Sequence, residues 1–218
     1  MVKTDQQFKP RKITDAEFRR SNVFVAWSRK AGRRVRLIGP TQHDAWLLLE
    51  FDPDVAWFCE RPPIEIELIP LEGKRRSLDF WACRRSGTQF GVVLHDVTLA
   101  RDKACPHDLL KRSIEASKLK CEVWQASDMR SRLTYVRNLK ELQPFVAMDQ
   151  PADEQLAAAM VAHLERVKKA SWSELMTVFA LRFEGVVNAE IARLIHSGRI
   201  AANLSDHALA SNTVLTLP

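Results

Sequence analysis

Gln42-His43-Asp44-Ala45-Trp46-Leu47-Leu48-Leu49-Glu50-Phe51-Asp52-Pro53-Asp54-Val55 passes from a helix into extended chain. Thr41 to Glu50 reads as the helix, with Trp46, Leu47 and Leu49 as apolar positions and Thr41 as the N-cap. Pro53 ends it, because the residue before a proline is pushed out of the α region. Extended chain follows in Val55 to Cys59 and in Ile64-Glu65-Ile66-Glu67-Leu68-Ile69, whose strict alternation marks a half-buried strand. Beyond a turn at Glu72-Gly73-Lys74, Ser77 to Arg84 and Phe90 to Thr98 form a hairpin about Ser86-Gly87.

Helical spacing returns at 106–119 (Leu109, Leu110, Ile114, Leu119) and at 128–142, with a short strand, Glu122-Val123-Trp124, between them. Helix, strands, helix, strand, helix predicts an α/β core, a mixed sheet flanked by helices. Gln150-Pro151-Ala152-Asp153 reads as a linker dividing the chain into 1–148 and 149–218. Past it, Leu156, Met160, Leu164 and Val167 lie on one helix over 154–168. A second helix runs from an N-cap at Ser171 to Phe183, with Glu174 in the capping-box position. A third runs from Asn188 to His196 and closes on Gly198. With the alternating tail Thr213 to Leu217, these helices outline a small winged-helix-like domain. Ala189 to His196 would be its recognition helix, with Arg193, His196 and Arg199 facing a partner.

The net charge of +6 is uneven. Residues 1–40 hold eleven Lys/Arg against three Asp/Glu, 41–148 balance at sixteen each, and 149–218 have six basic and eight acidic residues. The basic front is interleaved with Phe18, Phe24 and Trp27, so it predicts a partly folded segment that attracts phosphate backbones through counterion release. Arg29, Lys30, Arg33, Arg34, Arg36, Arg75, Arg76 and Lys103 are the expected DNA contacts. No apolar run is long enough to span a bilayer, and the first residues show no secretory h-region, so a cytoplasmic protein is expected. Cys59, Cys83, Cys105 and Cys121 are too far apart for a C-x-x-C pair, and Cys105-Pro106-His107 lacks the zinc spacings, which predicts free thiols.

Asp79 falls on the first arm of the hairpin, and Asp96 and Thr98 on the second, where residues two apart share a face. An Asp on one strand beside an acid-x-Lys on its partner is the minimal core of a PD-(D/E)xK nuclease. Two carboxylates fix Mg²⁺ through hard oxygen ligands, and the metal lowers the pKa of its water. A lysine orients that water and offsets charge building on the phosphate. Two Asp on a hairpin, by themselves, are more often the solvated face of a strand.

The stretch 42–55 resembles the opening helix of TnsA-type transposon endonucleases, in which a Glu precedes a run into L-L-E-F-D-P-x-V and a Gln-Pro follows. Glu60-Arg61-Pro62 takes the Gln-Pro place, and Arg75-Arg76-Ser77-Leu78-Asp79-Phe80 matches the family's basic residues leading to P-D-F. Asp96-Val97-Thr98 falls on its E-V-K strand. Glu122-Val123-Trp124, Met129-Arg130 and Val136-Arg137-Asn138-Leu139-Lys140-Glu141-Leu142 are similar to its last strand and helix, so the likeness covers 11–146 in order.

That resemblance implies a restriction-endonuclease-like sheet, DNA as ligand, and a transposase and an AAA+ ATPase regulator as partners. It also implies catalytic positions at Gln42, Asp79, Asp96 and Thr98, with Asp79 and Asp96 as Mg²⁺ ligands. Gln42 stands for the helix Glu and Thr98 for the lysine. Each missing group costs about 10²–10⁴-fold in rate, so a scaffold or regulator that cuts poorly is expected and Mg²⁺ binding is weak at best. Two alternatives stand beside it: an active nuclease using Lys74 or Lys103 as a relocated lysine, and a stand-alone DNA-binding protein of a mobile or defence element. His43-Asp44 and His95-Asp96 do not make an HD-type phosphohydrolase, because that fold is all helical. No G-x-S-x-G elbow is present. The acidic surplus of 149–218 favours protein binding over a second grip on DNA.

Overall fold

A computed structural model of the chain describes residues 8–69, 71, 73–103, 105–148, 152–181 and 184–218. Glu72 of the expected turn, Gln150 and Pro151 of the expected linker, and Phe183 at the expected helix end lie outside them. The elements form a mixed α/β fold, and the chain divides into two compact units: residues up to Leu49 with Asp54–Ser131, and Glu50–Pro53 with Arg132–Pro218. Compactness groups 132–148 with the C-terminal elements, whereas the division at 148/149 follows the change in composition.

The first unit opens with α1 (Asp15–Arg20), which is started by a capping box between Thr14 and Glu17. β1 (Val23–Ser28) and β2 (Arg33–Ile38) follow as an antiparallel ribbon with Phe24 opposite Leu37 and Trp27 opposite Arg34. Alternation in β2 explains it: Val35 and Leu37 are fully buried, while Arg34 and Arg36 face out. α2 (Gly39–Phe51) starts two residues before the expected N-cap, which leaves the Thr41 hydroxyl for another partner. Trp46, Leu47 and Leu49 are buried as their spacing predicts.

The main sheet of this unit has the order β3-β6-β7-β8, from β3 (Val55–Glu60), β6 (Phe80–Arg84), β7 (Gln89–His95) and β8 (Cys121–Gln125). The first two pairings are antiparallel and β7–β8 is parallel. Phe90 to His95 are all buried, as a central strand covered on both faces requires. Parallel pairing of Gly91 with Cys121 depends on the missing side chain: a Cβ there would lie 2.6 Å from Cys121 Sγ and 2.7 Å from a Leu78 methyl. Between β3 and β6, β4 (Glu65–Glu67) and β5 (Arg75–Ser77) make a second small ribbon. Ile66, Leu68, Leu78, Val93, Leu110 and Ile114 form a core there with α4 (His107–Ser117).

Two expectations fail in this unit. The hairpin is shorter than 77–84 and 90–98: Asp79 sits in a bend before β6, and Asp96 to Thr98 lie in a turn beyond β7, so the last two do not share a strand face. The reason is local, since the Asp96 side chain accepts the Thr98 N–H and bends the chain toward α3 (Ala100–Lys103). The single helix over 128–142 is two, α5 (Ala126–Ser131) and α6 (Leu133–Ala147), parted at Arg132, whose φ of −101° and ψ of 30° leave helical geometry.

In the second unit α6 is followed by α7 (Glu154–Val167), β9 (Lys169–Ser171), α8 (Trp172–Val178), α9 (Glu184–Ser197), β10 (Ala201–Ala202) and β11 (Val214–Thr216). Its sheet is antiparallel with the order β10-β11-β9. Leu156, Met160, Leu164, Leu175, Ile191 and Leu194 lie in its core. The Ser171–Glu174 capping box is present, with Glu174 accepting the Ser171 N–H at 2.6 Å. α8 stops at Val178, and α9 begins at Glu184 and ends against Gly198 at φ +75°.

Candidate functional site

The first turn of α2 reaches the ends of β6 and β7. Gln42 accepts the Ile38 N–H at 2.7 Å, and its amide points at Asp79 Oδ1 from 3.5 Å. Thr41, its neighbour, donates to Asp96 Oδ2 at 3.2 Å. Asp79 Oδ2 accepts the Leu94 N–H at 2.8 Å, which fixes the bend before β6 against the last residues of β7. Thr98 donates both its hydroxyl and its N–H to Asp96 Oδ1, at 2.7 and 3.0 Å. Gln42, Asp79, Asp96 and Thr98, the positions the resemblance implies, lie around one helix end, although the strand geometry expected to place Asp96 and Thr98 is absent.

Arginines dominate the electrostatics. Arg76 NH2 lies 3.9 Å from Asp79 and donates to the Leu94 carbonyl, while its NH1 is 2.9 Å from Asp102 on α3. Asp102 in turn accepts the Asp96 N–H at 2.9 Å, closing a chain from β5 through α3 to the end of β7. Arg130, on α5, lies 3.4 Å from Asp96 and is half exposed. Burial raises the Asp96 carboxyl, but the Thr98 hydrogen bonds and Arg130 outweigh it and hold its pKa at about 2. Asp79, Asp96 and Asp102 are all buried, with the buried Arg76 guanidinium beside Asp79 and Asp102 and the half-exposed Arg130 beside Asp96.

Mg²⁺ demands near-octahedral oxygen ligands and bare negative charge. Here the Asp79 and Asp96 oxygens already accept from Leu94, Thr41, Thr98 and Arg130, and Arg76 stands 3.9 Å from Asp79. Among the described residues no group of three or more His, Cys, Asp or Glu side chains is arranged to hold a metal ion. No ion pair joins Lys74 or Lys103 to Asp79 or Asp96 among the described residues. The cation beside Asp96 is Arg130, which the sequence marks only within the Met129-Arg130 stretch of the resemblance; Thr41, expected as an N-cap, bonds Asp96 instead. Asp102 had no signal, because its role depends on the turn that follows β7.

Glu60-Arg61-Pro62 works as an anchor. Glu60 takes Arg33 in a two-pronged pair at 2.6 Å on each arm. Arg61, at φ +51°, donates to the Lys12 carbonyl at 2.8 Å and to Glu17 at 3.1 Å, while its N–H bonds the Asp79 carbonyl. The buried pair and the strained residue tie the N-terminal segment to the bend carrying Asp79.

The eight expected DNA contacts separate by environment. Arg29, Arg34, Arg36, Arg75 and Lys103 are exposed. Arg33 is engaged by Glu60, Lys30 donates to the Leu49 carbonyl at 2.8 Å, and Arg76 is buried among carboxylates. Those three are structural cations. Charge counting in a sequence does not separate the two kinds.

The expected recognition helix is also corrected. In α9, Arg193 pairs with Glu190 at 3.3 Å and also donates to the Met148 carbonyl. His196 bonds Glu50 at 3.0 Å with its ring edge-on to Phe51. Both side chains are buried because α9 packs against α6, α7 and α8, and only Arg199 of the expected trio is exposed. Asn138, the fixed residue of the N-L-x-x-L stretch, is fully buried: its amide donates to the Leu204 and His207 carbonyls and its oxygen accepts the Leu209 N–H. Compared with known proteins, the chain matches no family model and no curated protein.

Proposed function

We propose that the chain is a DNA-binding, TnsA-like subunit of a heteromeric transposition machinery that holds DNA without cutting it. Its first unit would be a restriction-endonuclease-like fold and its second a winged-helix-like domain used to bind protein. What supports this reading is that Gln42, Asp79, Asp96 and Thr98, the positions the resemblance assigns to a PD-(D/E)xK centre, lie near one another with Arg76 and Arg130 beside the two carboxylates. A guanidinium supplies positive charge but no bound water to activate, so this arrangement retains a shape and loses a nucleophile. The exposed arginines of the first unit supply attraction to phosphate, and the α/β order of elements accords with the fold.

The order α7, β9, α8, α9, β10, β11, with sheet order β10-β11-β9, supports the winged-helix-like reading of the second unit. Its would-be reading helix is inside the unit, which favours a protein partner such as a transposase or an AAA+ ATPase over base contacts. No helix among the described residues is long and apolar enough to cross a membrane. The test is co-purification on DNA with the products of neighbouring genes, expected to encode an integrase-type transposase and an AAA+ ATPase. No mobility shift on DNA at about 50 mM salt would sink the DNA-binding reading. DNA binding with neighbours of unrelated kinds would sink only the transposition part, leaving a stand-alone DNA-binding protein.

A further inference from the structure

The outward face of the β1–β2 ribbon carries Val25 and Trp27 on one strand and, directly opposite them, Arg36 and Arg34 on the other. Val25 is 59% exposed and Trp27 45%, and both arginines are exposed. Neither guanidinium pairs with a carboxylate among the described residues. Residues 21–38 contain five Lys/Arg and no Asp or Glu. The inward face is conventional, with Val35 and Leu37 buried and Phe24 stacked on His43. An apolar pair at the centre of an exposed two-stranded ribbon is an aggregation hazard unless something covers it. The acid that meets β2, Glu60, is buried and taken up by Arg33 and the Arg36 N–H, so the exposed face presents arginine on both sides and selects a polyanion as that cover.

We infer that this face binds single-stranded DNA, an unpaired base stacking on Trp27 while Arg34 and Arg36 hold the flanking phosphates. Cross-strand pairing sets each arginine within reach of the indole's margin, and Arg34 and Arg36, two residues apart, are spaced about 6.8 Å along the strand. A duplex buries its base faces and offers only edges and phosphates, so a ribbon bearing an exposed indole is suited to a base that has left the stack. This inference rests on the DNA-binding reading above and names the surface and the form of DNA.

Trp27 is also the reporter. Of the six tryptophans it is the exposed one: Trp46 and Trp57 are buried, and Trp81, Trp124 and Trp172 are half-buried. The full chain is titrated with a dT₁₂ oligonucleotide and with a 12-base-pair duplex, following intrinsic fluorescence and anisotropy of a labelled strand. The oligonucleotide should quench emission in the wild type and fail to quench it in Trp27→Phe, which keeps most of the stacking surface and the affinity. In Trp27→Ala the ratio of single-strand to duplex affinity should fall about 5- to 140-fold. Arg34→Gln with Arg36→Gln should reduce the single-strand salt slope by about 1.4. Binding of DNA with no quench, or with an unchanged affinity ratio in Trp27→Ala, overturns the inference and leaves DNA binding standing. Binding of neither probe overturns the DNA-binding reading itself.

Discussion

Replacing Gln42 by Glu puts a second carboxylate where an amide now faces Asp79 across 3.5 Å. The new side chain keeps the acceptor that the Ile38 N–H uses, so the change is one of charge more than of shape. Two unit charges at that distance repel by about 4–5 kcal/mol at an effective dielectric of about 20. Arg76 is already committed to Asp79 and Asp102 in the wild type, so it offers no new compensation. For a chain of this size each kcal/mol moves the melting temperature about 2–4 °C, giving a fall of roughly 8–20 °C in EDTA at pH 7. The loss should shrink at pH 5, where one carboxyl of the pair takes up a proton, and in millimolar Mg²⁺ or Mn²⁺, which neutralises the pair. Gln42→Leu, which adds no charge, should show neither dependence. Differential scanning calorimetry reads all of this. A Gln42→Glu protein that melts within 2 °C of wild type, or whose loss ignores both acid and metal, would refute the account of this site.

The Asp96 carboxyl is held low, so its contribution to stability is full above the unfolded value near 3.9 and is lost as pH falls through about 2. Thr98→Ala removes one of the bonds responsible; carboxyl titration by NMR should show the folded pKa rise, and acid unfolding should begin at higher pH. Asn138→Ala strands the Leu204 and His207 carbonyls and the Leu209 N–H, which predicts a loss of about 2–4 kcal/mol in urea melts and faster proteolysis over 203–213. Gly91→Ala forces Cys121 and Leu78 apart and should cost about 1–3 kcal/mol by the same measurement.

Most of the elements beyond Thr41 are legible in the sequence because hydrophobic period is a local signal: α2, β3, α4, β8 and α7 fall close to where their apolar residues put them. The ribbon β1–β2 is less so, since arginines at alternate positions of β2 look like a basic arm until Val35 and Leu37 are seen to face inward. The strand ends at His95 rather than Thr98 because of a side chain bonding to its own backbone two residues on, which alternation does not foresee. Gln42 joins Asp79, Asp96 and Thr98 only through the family resemblance, and their pairing with arginine has no signal in either the spacing or the resemblance. Arg76 reaches them from β5, Asp102 from the short helix after the turn beyond β7 and Arg130 from α5, while Arg193 and His196 are buried by packing between helices distant in the chain. Spacing marks which residues share a face; it does not say whether that face meets solvent.

We propose a nuclease-like centre whose carboxylates are met by arginine rather than by metal. Its most direct test is the conversion of supercoiled plasmid to nicked circle in Mn²⁺, run beside a mobility shift on the same DNA with wild type and Asp79→Ala. The account predicts that wild type shifts the plasmid while its nicking stays at the rate of Asp79→Ala and of buffer. Nicking by wild type that disappears in Asp79→Ala would contradict it.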